Sequence, residues 1–282
     1  MYSRHFRKLL EIQWSRGNFA CVGLDSELEK IPTCAHVRNV QGEIDIVKTI
    51  VGFNHSIIEA TKDLVCAYKP NSAFYEAHGG IGLTALRETI LDIHKIAPNI
   101  PVILDAKRAD IGNTNIGYEK AAFDFLQADA ITLHPYLGSE ALAPFLAREE
   151  KGIIILCRTS NPGSSELQNL LIDGEPLYRL IARRIATKWN KNKNCSLVVG
   201  ATYPKELADL RNLVDDMPFL IPGVGAQGGS VEATVTAAKN SRGDGMIINS
   251  SRGIIFASQE SDFAEAARRA TEKLHHEINR YR

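Results

Sequence analysis

Eight short apolar runs, separated by amphipathic stretches and by no linker, predict that this 282-residue chain is an α/β protein folded as a closed (β/α)8 TIM barrel with an extra N-terminal helix. Two further patterns support this. Glycine, proline, serine and asparagine gather after the runs, and charged residues recur where the runs end. The runs lie at 19–24, 64–68, 102–104, 130–133, 153–157, 197–199, 219–221 and 246–248. Apolar stretches of this length between helical patterns suit parallel strands buried on both faces. Eight in succession favour closure, with an open doubly wound sheet as the alternative. The chain reads as one domain, 1–282.

Helical periodicity covers 2–14, 44–61, 83–96, 115–126, 139–148, 176–189, 204–213, 231–238 and 263–278. The first of these precedes the first strand and is expected to close the amino-terminal mouth, leaving the carboxyl ends of the strands open to ligand. Turn-forming residues concentrate at 159–164, 222–229 and 249–253, after the fifth, seventh and eighth runs.

Composition narrows the function. Lys plus Arg number 33 and Asp plus Glu 33, so the formal charge is zero and no overall basic field would gather a nucleic acid. No uncharged stretch reaches the roughly 18 residues of a membrane span, and Glu11, Gln13 and Ser15 interrupt any signal-peptide core, so a soluble protein without a membrane partner is expected. Five cysteines without Cys-x-x-Cys spacing, three of them inside apolar runs, read as free thiols in a reducing cytoplasm. The histidines form no helical His-x-x-x-His pair, so no metal site is expected.

Polar residues at the strand ends are the candidates for chemistry. Asp25 follows the first run, Lys69 and Asn71 the second, Asp105 and Lys107 the third, and His134 the fourth. Burying such charges is costly unless they are paired, so two lysines and two aspartates converging on one mouth point to function. Alternation along a strand sends Asp105 and Lys107 to the same face. Asp110, nearby, has a plain reading as a helix cap. The glycine-rich turn from Pro222 offers backbone N–H groups, and Arg252 can hold an oxyanion in two-point fashion, which together indicate a phosphate site after strands seven and eight. Thr159, Ser160 and Asn161 can bond a planar polar ring or can form an ordinary Asn-Pro turn. His134 receives no catalytic role.

The stretch Asp105-Ala106-Lys107-Arg108-Ala109-Asp110-Ile111-Gly112-Asn113-Thr114 resembles the signature of the orotidine 5'-phosphate decarboxylase family. Val22-Gly23-Leu24-Asp25, Tyr68-Lys69-Pro70-Asn71-Ser72-Ala73-Phe74, Pro222-Gly223-Val224-Gly225 and Ser251-Arg252-Gly253 occur in family order, and the long loop 158–170 resembles the subfamily shared by some bacteria and certain protozoa. The resemblance implies a homodimeric barrel that converts orotidine 5'-phosphate to UMP, the last step of de novo pyrimidine biosynthesis, without metal or organic cofactor. It implies that Asp25 and Lys69 hold the ribose side, that Asn71 lies in the binding site, and that Asp105 and Lys107 face the pyrimidine carboxylate. Asp110 and Thr114 would enter the partner's site, Thr159 and Ser160 would address the pyrimidine amide, and Gln227 with Arg252 the phosphate. Lys107, flanked by Asp105 and Asp110, would stabilise the carbanion left at C6 and protonate it.

Two other readings compete. One is a magnesium-dependent sugar-phosphate decarboxylase or aldolase of the same suprafamily, which shares the Asp-x-Lys-x-x-Asp core. The other is a catalytically silent nucleotide-binding barrel.

Overall fold

The computed structural model describes residues 4–224 and 229–282. Its centre is a ring of eight parallel strands: β1 (Ala20–Leu24), β2 (Val65–Pro70), β3 (Ile103–Arg108), β4 (Ala130–Leu133), β5 (Gly152–Arg158), β6 (Cys195–Val199), β7 (Phe219–Ile221) and β8 (Met246–Ser250). Ladder pairing runs β2-β1-β8-β7-β6-β5-β4-β3. Parallel bridges Tyr68–Val102 and Asn71–Asp105 join the two ends, so the barrel closes as the run pattern predicts.

The sequence of β2 shows how a strand serves two layers. Tyr68 points outward, its hydroxyl donating to the Ile58 carbonyl at 3.1 Å and lying 2.8 Å from Thr61 Oγ1, both on helix α2 (Ile46–Thr61). Lys69, the next residue, takes the opposite side and enters the barrel mouth. Along the chain the outer helices continue with α3 (Gly79–Ile96), α4 (Gly112–Lys120), α5 (Gly138–Leu146), α6 (Leu177–Arg184), α7 (Pro204–Val214), α8 (Val231–Ala238) and α9 (Phe263–Tyr281).

Helix α1 (Phe6–Ser15) lies across the amino-terminal mouth, as expected. Its buried residues Phe6, Leu10, Gln13 and Trp14 recur at helical spacing. Trp14 Nε1 donates to the Met246 carbonyl at the start of β8, and Gln13 donates to the Asn99 carbonyl before β3, both at 2.9 Å. Gly152 opens β5 because a Cβ there would come within 2.2 Å of the Phe6 ring. Residues 2 and 3, included in the predicted helix, lie outside the described residues.

Four features depart from the sequence expectation. Strand β3 does not stop at Leu104 but runs through the charged cluster to Arg108. The predicted helices 115–126 and 176–189 each change to a π-helical turn, at Ala121–Phe125 and Ile185–Trp189. The long loop after β5 holds a short helix, Ser164–Gln168, and a hairpin pairing Leu171–Ile172 with Glu175–Pro176. Short helices also follow β2 (Ser72–Glu76) and β8 (Arg252–Ile255). All are brief segments whose periodicity is too short to register as a pattern.

Candidate active site

The charged residues at the carboxyl ends of β2 and β3 form one continuous array. Lys69 Nζ bonds Asp105 Oδ2 at 2.8 Å, and Lys107 Nζ bonds Asp105 Oδ1 at 2.7 Å. Lys69 is 4% exposed and Asp105 9%. Burial opposes the charge on both. For Asp105 the two ammonium groups outweigh it and hold the carboxyl well below the usual aspartate range. For Lys69, the carboxylates of Asp105 and Asp25 overcome burial and raise its pKa above the ordinary lysine value. Both groups are therefore charged at neutral pH.

Lys107 reaches the cavity by a different backbone route from the alternation inferred for the strand. Pairing between β3 and β4 shifts between Leu104 and Arg108, and Lys107 has φ 47°, in the left-handed region. That conformation costs a side-chain-bearing residue about 1 kcal/mol. The bulge turns the Lys107 side chain, half exposed, into the mouth beside Asp105.

Lys69, Asp105 and Pro222 lie between two lobes of one cleft. The first lobe is lined by Asp25, Asn71, Gly223, Asn249, Ser251 and Arg252 among others. Among the described residues, Asp25 Oδ1 and Asn249 Oδ1 are buried there without a hydrogen-bond partner. Unfilled buried acceptors are rare because each forfeits its solvation, and these two call for donors such as sugar hydroxyls. Gly23 in β1 permits the close packing: a Cβ there would fall 1.9 Å from Ser251 Oγ. Asn71 caps the short helix Ser72–Glu76 by accepting from Ala73 N at 3.2 Å. Arg252 is exposed at the rim and makes no ion pair among the described residues.

The second lobe, a cavity of about 430 Å³, includes Lys107, Thr132, Leu156, Thr159, Ser160 and Gln168, with Val198 and Leu220. Apolar walls with polar groups on one edge suit a flat heterocycle. The Thr159–Ser160 edge is held from behind. Gln168 accepts from Thr159 N at 2.9 Å and donates to Thr159 Oγ1 at 2.8 Å, while Arg158 donates to Ser164 Oγ at 2.6 Å and to Glu206. Arg158, 1% exposed, also stacks 4.3 Å from the Tyr203 ring centroid.

The structure thus brings together Asp25, Lys69, Asn71, Asp105 and Arg252 in one lobe, and Lys69, Asp105, Lys107, Thr159 and Ser160 in the other. Asp110 and Thr114 are not among these lining residues. Within this chain Asp110 Oδ1 accepts from Ile111 N at 2.7 Å, and Asp105 is the carboxylate that pairs with Lys107 among the described residues. Thr114 is exposed on α4, and Gln227 lies outside the described residues. Sequence reasoning passed over Thr132, Asn249, Gln168 and Arg158. A lone threonine inside the apolar run 130–133 is the one local signal any of them offered.

No group of three or more His, Cys, Asp or Glu side chains among the described residues is arranged to hold a metal ion. No described helix is long and apolar enough to cross a membrane.

A closed parallel barrel with charged, partly unsatisfied side chains at the carboxyl ends of its strands defines a TIM-barrel enzyme. The model of the Orotidine 5'-phosphate decarboxylase / HUMPS family matches residues 20–270. Orotidine 5'-phosphate decarboxylase of Cellvibrio japonicus is 48% identical over 97% of this chain and 98% of its own length, and that of Herpetosiphon aurantiacus is 53% identical over 89% of each. Among solved structures, Leishmania donovani OMP decarboxylase superposes with a TM-score of 0.81 at 37% identity, covering 97% of this chain and 98% of that one. Leishmania donovani UMP synthase gives a TM-score of 0.84 at 40% identity, covering 98% of this chain but 56% of the synthase chain. The chain belongs to the orotidine 5'-phosphate decarboxylase family.

Proposed function

We propose that this protein decarboxylates orotidine 5'-phosphate to UMP, the last step of de novo pyrimidine biosynthesis, as a single barrel domain without metal or organic cofactor. The observation that carries the reading is the ion-paired Lys69–Asp105–Lys107 array set between a lobe with unfilled polar acceptors and a lobe with apolar walls. In this reading Asp25 and Lys69 bind ribose with Asn71 beside them. Thr159 and Ser160 meet the pyrimidine amide, and Arg252, with Gln227, takes the phosphate.

The chemistry follows from the charges. With the base in the second lobe, the substrate carboxylate lies against Asp105. Two unit charges at 4 Å repel by about 4 kcal/mol at an effective dielectric of 20, and the distant phosphate contacts offset this placement. The C6–carboxylate bond breaks, carbon dioxide leaves, and the electron pair stays on C6. Lys107 Nζ stabilises that pair and then delivers its proton to form C6–H. Its half-exposed side chain regains a proton from water.

The active form in this reading is a cytoplasmic homodimer in which Asp110 and Thr114 enter the partner's cleft. Supporting this, Asp110 is not tied to Lys107 within the chain, and Ile111 beside it is an apolar side chain 61% exposed. The reaction is tested by following the loss of orotidine 5'-phosphate absorbance with and without excess EDTA. Undiminished turnover in chelator supports the reading; absolute magnesium dependence would transfer the chain to the sugar-phosphate alternative, and UMP binding without carbon dioxide release to the silent-barrel one. Mixing Lys107→Ala with Asp110→Ala protein is expected to restore up to about a quarter of wild-type activity, because half the dimers are hybrids with one intact site of two. No recovery after demonstrated subunit exchange rejects the contribution in trans.

A further inference from the structure

Between Leu104 and Arg108 the ladder of β3 against β4 breaks: Leu104 pairs with Ile131, and the next pair is Arg108 with Leu133. Three residues, Asp105 to Lys107, thus stand opposite the single residue Thr132. Its hydroxyl fills the gap in both directions. Thr132 Oγ1 accepts the Lys107 backbone N–H at 3.0 Å and donates to Asp105 Oδ1 at 2.8 Å. The same Asp105 oxygen accepts from Lys107 Nζ at 2.7 Å. One hydroxyl, 1% exposed in its residue, therefore ties the backbone of the lysine to the carboxylate that orients its ammonium.

We infer that Thr132 is a positioning residue for the proton-delivering Lys107, an inference that rests on the decarboxylase reading above. A strand ladder would satisfy the Lys107 N–H without help, but the left-handed turn at φ 47° removes that partner. The Thr132 oxygen replaces it and keeps the bulge from relaxing. Its own proton holds Asp105 Oδ1 in place, leaving the remaining acceptor capacity of that oxygen to the lysine. Serine would retain both bonds. Valine, of the same shape, would lose both and leave the Lys107 N–H and the carboxylate each short of a partner.

The test compares wild type, Thr132→Val and Thr132→Ser for kcat and KM with orotidine 5'-phosphate, for Kd with UMP, and for Tm. Displacing a catalytic group by an ångström lowers rates about 100-fold, so Thr132→Val is expected to lose about 10- to 100-fold in kcat. KM and UMP affinity should stay close to wild type while Tm falls by several degrees, because two buried groups lose a partner, and Thr132→Ser should recover kcat to within a few fold. Val retaining wild-type kcat, or Ser losing as much as Val, would overturn the inference. So would a fall in kcat matched by an equal loss of UMP affinity. Should Val not fold, Thr132→Cys, a weak donor and acceptor of similar size, is expected to give a kcat below that of Ser; equality of the two would reject the role. Wild-type protein without decarboxylation would sink the functional reading itself, a result distinct from all of these.

Discussion

The barrel buries a paired aspartate at each mouth, one beneath a covering helix and one beside an open cleft. At the amino-terminal mouth Asp129 is fully buried just before β4. Arg4 grips both its oxygens at 2.8 Å, and Val102 N donates at 2.9 Å. Helix α1 covers this mouth. At the carboxyl mouth Asp105 is also paired, with Lys69 and Lys107, but among the described residues its neighbours Asp25 and Asn249 keep unfilled acceptors that face an open cleft. Asp129 is paired and lies beneath a covering helix, so its charge can serve stability alone. Unpartnered buried atoms occur among the described residues of both mouths, including His94 Nε2 beside Asp129, but only those of Asp25 and Asn249 line the cleft that a ligand can enter.

The sharpest break of this comparison is Lys107→Ala. Removing the charge at the open mouth is expected to lower kcat by at least about 10⁴, the scale of losing electrostatic stabilisation and proton transfer together, while the protein stays folded and binds UMP. Absorbance assays and UMP titration measure both halves. Near-normal turnover would take the lysine out of the mechanism.

The opposite mouth should show the reverse pattern. Asp129→Asn leaves Arg4 without its anionic partner and is expected to lower unfolding free energy by roughly 3 kcal/mol in urea titrations, with kcat and KM unchanged. Loss of activity in the folded variant would mean that the two mouths are coupled.

A smaller effect concerns acid. Burial pushes the Asp129 carboxyl up, but the His94 ring 3.4 Å away and the Arg4 guanidinium outweigh it and hold it at about 2, below the ordinary 3.8. Because the folded-state value is depressed, this stabilisation is complete above pH 3.8 and disappears as the pH falls towards 2. The difference corresponds to about 2 kcal/mol. Stability curves measured from pH 5 to pH 2 should therefore be steeper for wild type than for Asp129→Asn. Parallel curves would show that Asp129 is not held in its ionised form by these groups.

Much of the carboxyl mouth is legible in the order of residues along the chain. Asp25, Lys69, Asp105 and Lys107 announce themselves because each follows or ends an apolar run, and charge at a buried strand end needs a reason. Thr132 and Gln168 carry no such mark, and Asn249, although it follows the eighth run, is uncharged. Each is an ordinary polar residue whose meaning comes from a neighbour remote in sequence; Thr132 and Asp105, for example, are 27 positions apart.

The eight-strand alternation, the helix laid over the closed mouth and the residue types at the open one follow from the chain alone, because hydrophobic periodicity and charge at run ends are local properties. Which oxygen meets which nitrogen is settled in three dimensions. The bulge that aims Lys107, the threonine that holds it and the acceptors left unfilled around Asp25 all depend on register between strands, and register is set by packing across the barrel, which no single segment encodes.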